Sequence, residues 1–368
     1  MLTTRIIGAG SFVPERVIDN ERVAAAIPGW TAEKIARKTG IRERRFLWDF
    51  DDRTGRVIVP PDDGSTWPRT GTDMAEIAVR RALEMADVDP TELDGVFVVT
   101  SSPDELNFCH DAILLHHRLG CRSDAFAIVV DSGCGGALYV MDHARRMVDV
   151  GAYRAVAIVA STLASAFFDR DVYTSSLPIG GRLLDAMLTM YLFGDGAGAV
   201  ILRGEPCSDL SDDSRLGILA SASGTDSVEL VVRRGGGAMR PAYPGRSTLA
   251  HHAFIVNGTL VAERFPEYMQ RGIEEVTKPF PHLVPDIARY YLHQANKRLV
   301  EGFAHEAKLP AERLAMHMER YGNTSAAATL ILLAEDLAGG VVSLGRGDVV
   351  LFAAIGAGVH WGAQLVRL

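Results

Sequence analysis

The chain has no cluster of basic residues. Its 38 lysines and arginines are outnumbered by 46 acidic residues, for a net charge of -8, and neither sign is blocked. A nucleic-acid partner needs a basic stripe, so no nucleic-acid binding is expected. Long hydrophobic runs are missing as well. The most apolar stretch, Ala155 to Phe168, is interrupted by Ser161, Thr162 and Ser165, too short and too polar to cross a bilayer. No membrane association is expected, and the first residues, Met1 to Ile7, lack the basic-then-apolar build of a signal peptide. Cysteine is scarce. Cys109, Cys121, Cys134 and Cys207 are the whole set and no two have Cys-x-x-Cys spacing; they read as reduced thiols of a cytoplasmic protein. What is present, 48% hydrophobic and 23% charged residues over 368 positions, supports a large buried core in two domains or one large α/β unit.

Short β-branched runs alternate with amphipathic stretches. Strands are expected at Gly95–Thr100, Ala125–Val130 and Ala155–Ala160, and helices at Asp111–Leu119 and Gly136–Val148, an α/β alternation. Four segments also recur in order. Arg5–Ser11 resembles Arg215–Ser221, and Gly95–Thr100 answers to Tyr290–Leu292. Val148–Arg154 with the strand after it answers to Val342–Asp348 with Val349–Ala354, and Gly194–Val200 to Gly356–Gly358. The pattern predicts a duplicated α/β unit, residues 1–205 and 206–368, joined near Gly204–Asp213. The polar stretches Asp49–Pro68 and Arg233–Ser247 read as loops inserted on that frame.

One cysteine stands apart. In Asp131-Ser132-Gly133-Cys134-Gly135-Gly136 a strand ends, small residues follow and a helix begins. A thiol there sits at the positive end of the helix dipole, which favours thiolate; glycines on both sides keep backbone N–H groups free. A buried structural cysteine is the plainer alternative. Further on, the apolar strand Tyr290-Tyr291-Leu292 delivers His293 at its tip, and thirty residues later Gly322-Asn323-Thr324-Ser325 opens an Ala-rich helix. Taken singly, His293 fits a core histidine and Asn323 a helix cap. Gly194–Gly198 looks like a phosphate loop but lacks G-x-x-x-x-G-K and runs into a strand, so no nucleotide site is expected.

Together these segments, with Thr39-Gly40-Ile41-Arg42, Phe193-Gly194-Asp195-Gly196, His293-Gln294-Ala295-Asn296 and Trp361-Gly362, resemble the β-ketoacyl-acyl-carrier-protein synthase III family of the thiolase superfamily along nearly the whole chain. The resemblance implies a thiolase-like five-layered αβαβα fold and a homodimer. It implies that Cys134 takes an acyl group from a thioester, with backbone N–H groups of Cys134 and Ala357 as oxyanion donors. His293 and Asn323 would then hold the enolate left when a malonyl-type thioester loses CO₂. No metal or organic cofactor is needed for that chemistry. It further implies that Phe108 closes the partner subunit's acyl pocket, and that Lys297 and Arg298 dock an acyl carrier protein. The adenine clamp that acyl-CoA users carry falls here on Lys34 and Met187, with Trp30 nearby. The expected donors are therefore bound to carrier protein in preference to CoA, in fatty-acid or polyketide biosynthesis. The chain also looks long between Phe46 and Thr70 and between Ala166 and Leu184. Two other readings share these residues: acyl transfer to a hydroxyl, amine or thiol without decarboxylation, and a non-catalytic ketosynthase partner subunit, which the intact Cys134, His293 and Asn323 disfavour.

Overall fold

A computed structural model of the protein describes residues 1–175 and 183–368. Part of the long stretch between Ala166 and Leu184 therefore lies outside the described residues. The strands that matter to the site are β1 (Leu2–Phe12), β2 (Gly95–Val99), β3 (Phe126–Val130), β4 (Ala155–Thr162) and β5 (Gly196–Pro206), then β6 (Gly217–Val228), β7 (Ile287–Leu292), β8 (Val349–Gly356) and β9 (Gly358–Arg367). The helices are α1 (Ala32–Thr39), α2 (Gly71–Ala86), α3 (His110–Leu119), α4 (Gly136–Asp149), α5 (Gly258–Thr277), α6 (Lys297–Glu306) and α7 (Ala328–Ala338).

One sheet has the order β1-β5-β4-β2-β3, the other β6-β9-β8-β7. The senses match as well as the order: β1 with β5 and β5 with β4 are antiparallel, as are β6 with β9 and β9 with β8. β4 with β2 and β8 with β7 are parallel. The first sheet carries one strand more, β3, parallel to β2 at its edge. All eight residues of β4 and all eight of β8 are buried. A strand covered on both faces gains from apolar side chains at every position, which is why Ala-Val-Ala-Ile-Val-Ala and Val-Val-Leu-Phe-Ala-Ala read as unbroken runs.

Those faces are covered by helices in five layers. Between the sheets, α4 and α7 pack Ala137, Met141 and Leu330 against Ile158 and Val200 of one sheet and Phe352 and Val366 of the other. Outside the first sheet lie α2 and α3, through Ala78, Val79 and Leu115. Outside the second lie α5 and α6, through Phe265, Met269 and Phe303. Helix α7 is buried nearly all round, as its Ala-Thr-Leu-Ile-Leu-Leu run requires. A polar tie crosses the middle layer: the fully buried Asp142 of α4 accepts from Ser221 and Ser223 of β6 and pairs with Arg146 at 3.0 Å. Burial pushes its carboxyl up, but these donors outweigh it and hold Asp142 below the usual carboxylate range. The segment Asp49–Pro68, read above as a loop, contains a small hairpin, Asp49–Asp51 against Arg56–Ile58. Parallel strands β2, β4, β7 and β8 deliver their C-terminal ends to the middle of the molecule, where the functional side chains collect.

Candidate active site

Cys134 sits in one tight turn, Gly133–Gly135, directly before α4. Gly133 has φ +56, and a Cβ there would stand 2.6 Å from the backbone nitrogen of Ala357. From the other side, a Cβ on Gly356 would stand 2.8 Å from the nitrogen of Cys134. The β8–β9 corner and the Cys134 turn thus press backbone against backbone, which only glycine allows. That contact brings Cys134 and Ala357 together, and both residues line a cavity of about 230 Å³.

Asn323 reaches the sulfur by a route the Gly-Asp-Gly motif explains. Asn323 N–H donates to the Leu192 carbonyl at 2.9 Å, and Gly194 N–H to the Asn323 carbonyl at 3.1 Å. A Cβ on Gly194 would meet the Tyr321 carbonyl oxygen at 2.0 Å. The motif is therefore a dock for the asparagine turn. Its Asp195 is fully buried and accepts from the backbone N–H groups of Leu47 at 2.6 Å and Ser165 at 2.9 Å. Burial pushes that carboxyl up to about 6, against the pull of the Ser165 hydroxyl and these N–H groups. The Asn323 side-chain oxygen accepts from Ser325 N–H at 2.8 Å, which leaves its NH₂ end for the Cys134 sulfur, on which it acts. Ser325, at φ +52, donates its hydroxyl to the same sulfur at 3.4 Å.

His293 follows the end of β7 and extends its pairing, its N–H donating to the Ala353 carbonyl at 2.9 Å. Ala353 lies three residues before Gly356, so the histidine and the cysteine turn are gauged from the same strand. Its side chain is buried, with Nδ1 unpartnered among the described residues. Burial pushes its pKa down to about 3, so the imidazole is neutral. His317, buried nearby with its ring beside Tyr321 and Nε2 3.3 Å from the Thr324 hydroxyl, is pushed down to about 3 in the same way.

One expectation is corrected. The helix end was expected to favour Cys134 thiolate, yet burial pushes its pKa up; Ser325, its own backbone N–H and Asn323 pull the other way and lose. Desolvating a thiolate costs more than the end of one helix returns.

The remaining expected residues lie outside this cluster. Phe108 is 90% exposed, at φ +56 between Asn107 and Cys109, which also have positive φ. Lys297 is held by Glu319 at 2.6 Å and Glu301 at 3.6 Å, so much of its charge is neutralised. Arg298 is exposed and forms no ion pair among the described residues; Arg37, Lys38 and Arg42 are exposed on and after α1, which Asn296 touches through the Lys38 carbonyl. Trp30 is 8% exposed, tilted on the Tyr191 ring at 4.5 Å, with the Lys34 ammonium 4.2 Å from its own ring centre. Met187 is buried in that same cluster. Residue reading missed Ser325, His317 and Arg233. Ser325 adjoins Asn323 in a quoted motif, but His317 and the cavity-lining Arg233 carry no local signal.

The 3-oxoacyl-[acyl-carrier-protein] synthase III family model matches residues 130–227, and its C-terminal model matches residues 283–368. The β-ketoacyl-[acyl-carrier-protein] synthases III of Ehrlichia canis and Coxiella burnetii are each 30% identical, over the full length of both chains. The chain belongs to the β-ketoacyl-acyl-carrier-protein synthase III family. Its fold is that of the synthase III from Aquifex aeolicus, TM-score 0.77 with 26% identity over 99% of this chain and 100% of that one. A priming β-ketosynthase of a polyketide pathway is as similar, TM-score 0.76 with 26% identity over 100% and 96%. The protein is thus a thiolase-fold acyl-thioester condensing enzyme, an acyltransferase by reaction class. Among the described residues no helix is long and apolar enough to cross a membrane.

Proposed function

We propose that the enzyme loads an acyl group onto Cys134 and condenses it with a malonyl-type thioester. The observation that carries this reading is a thiol on a cavity wall with an amide NH₂ and a hydroxyl aimed at it. In the first half, sulfur attacks the donor carbonyl, the oxyanion is met by the N–H groups of Cys134 and Ala357, and the carrier leaves as its thiol with the Cys134 proton. In the second half, the extender's C–CO₂ bond breaks and its electrons move into an enolate. Asn323 and neutral His293 hold the enolate oxygen, its carbon attacks the acyl-enzyme, and Cys134 is released. A charged imidazolium would bind the extender's carboxylate and oppose its departure; a neutral one does not. The test is incubation with an acyl donor and a malonyl thioester, following Cys134 mass, CO₂ and product. A β-keto product with CO₂ supports condensation. An ester or amide without CO₂ supports the transferase reading instead.

Carrier-protein-bound donors fit better than CoA. Trp30 is 8% exposed, packed by Tyr191 and Lys34, and Met187 is buried, so neither offers a platform for adenine. Arg298, with exposed Arg37 and Lys38 on the neighbouring α1, presents a basic rim to an acidic carrier; Lys297 and Arg42, both paired with Glu319, contribute less. This pattern favours a specialised biosynthetic role over chain initiation from CoA. We further read the enzyme as a homodimer. Every residue of edge strand β3 is at least partly accessible, Ile128 at 39%, and Phe108 stands clear of its own subunit, as a strand awaiting a second copy would. The division into duplicated halves, 1–205 and 206–368, is supported by the matching strand orders. The four free cysteines support a reducing cytoplasmic setting.

A further inference from the structure

Arg233 lines the same cavity as Cys134. It leaves the short strand Val231–Val232, which pairs with Ile255–Val256, and so stands at the root of the loop that runs to Ser247. Its guanidinium carbon lies 5.2 Å from the centre of the Phe167 ring and 5.3 Å from that of Phe254, both cavity residues. Both rings are within cation–π range of the guanidinium. Its Nε is buried without a hydrogen-bond partner, and no carboxylate pairs with the guanidinium among the described residues. Burial lowers its pKa, while Tyr173 and Asp131 act to raise it. Asp131, on the same cavity, is exposed and accepts from Ser101 at 2.5 Å. The nearby His252 is itself held below its usual pKa, by burial and then by Arg233.

A half-buried guanidinium with free donors is costly to keep, and the group that matches its fork is a carboxylate or phosphate. Because the described residues supply no partner, the anion comes with the substrate. The carboxylate of the extender is a poor choice: holding it would stabilise the charge that decarboxylation must remove, and slow the step. The donor acyl group has no such conflict.

We propose that Arg233 selects a donor whose acyl chain ends in a carboxylate, the monothioester of a short dicarboxylic acid. Its thioester carbonyl lies at Cys134 and its free carboxylate on Arg233. The inference rests on Cys134 being the acylated residue. Loading is unchanged in chemistry: the thioester C–S bond breaks, the Cys134 S–C bond forms, and the distal carboxylate stays intact.

The test uses N-acetylcysteamine thioesters, which carry no phosphate, of glutarate and of pentanoate as the neutral counterpart. Loading on Cys134 is followed by intact mass in the wild type, Arg233→Leu and Arg233→Lys. The wild type should load glutaryl faster than pentanoyl. Arg233→Leu should cut glutaryl loading by about 10²-fold, the scale of losing one partner of a desolvated charge pair, and spare pentanoyl. Arg233→Lys should recover part of the loss. Pentanoyl loading shows that each variant is folded, and the wild-type preference stands even if neither variant folds. Equal wild-type rates for the two donors overturn the proposal. So does an equal loss for both in Arg233→Leu, or an Arg233 effect confined to phosphate-bearing CoA donors, which would make the phosphate its partner. If pentanoyl and glutaryl both acylate a residue other than Cys134, the underlying reading fails as well.

Discussion

The cavity has two unlike sides. On one side lie Cys134, Ala357 and Ser325, held where backbone meets backbone at Gly133 and Gly356, with Asn323 set against the sulfur by its dock on Gly194. On the other lie Val231, Arg233 and Phe254, carried by a short ribbon and the irregular stretch between residues 233 and 248. The first side has little room to vary, since each contact there excludes even one added methyl. The second can change side chains without moving the first. On the proposed function, chemistry and selectivity fall to different parts of the fold.

Glycine substitutions test that contrast most sharply. Gly194→Ala forces a methyl onto the Tyr321 carbonyl, 2.0 Å from where it would sit. It should cost about 3 kcal/mol or more by the scale for overpacking, and should lower activity further by moving Asn323. Thermal unfolding and turnover of the purified variant read both effects.

Acid should come next. His293 and His317 are buried neutral, each pushed down to about 3, against about 6.5 for a free histidine. Between those values the unfolded chain takes up protons that the folded one refuses. Stability is therefore full above about 6.5 and is lost as pH falls toward 3. The unfolding free energy should fall steadily from pH 7 to pH 5, and His317→Gln should remove about one proton's worth of that slope. An unchanged slope in that variant would show that His317 is not the buried neutral group it is taken to be.

Ser325→Ala should raise the Cys134 pKa further by deleting one of the groups that lower it. A hydrogen bond of about 1 kcal/mol corresponds to roughly a 5-fold slower alkylation by iodoacetamide near neutral pH. Smallest of all is Gly237→Ala, in the irregular stretch between residues 233 and 248. No atom lies within 4 Å of the added carbon, so stability should shift by no more than about 1 kcal/mol, in the stabilising direction. A loss as large as that of Gly194→Ala would erase the proposed division.

What the sequence revealed follows the same line. The segments around Cys134, His293 and Asn323 stood out as an ordered set beside glycines and a strand end, although His293 and Asn323 taken singly fit a core histidine and a helix cap. The all-apolar runs of β4 and β8 announced central strands for the same local reason. Arg233 read as part of a polar loop because its setting depends on Phe167 and Phe254, distant in the chain. The Cys134 pKa was expected to move the wrong way: the helix end is visible in sequence, whereas the burial that outweighs it belongs to tertiary packing. Lys297 looked like a free cation because Glu319 lies 22 residues away.

The central claim is that Cys134 holds the acyl group while Asn323 and His293 serve chiefly the step that follows. Its most direct measurement separates the two steps in Asn323→Ala, with Cys134→Ala alongside. Acyl-enzyme is read by intact mass before malonyl thioester is added, and product afterwards. The account predicts that Asn323→Ala loads within about 5-fold of the wild-type rate, the loss of one hydrogen bond to the Cys134 sulfur, but forms β-keto product about 10²-fold more slowly, the scale of one lost oxyanion donor. Cys134→Ala should neither load nor turn over. Full condensing activity in Asn323→Ala, or an acyl group still carried by Cys134→Ala, would contradict it.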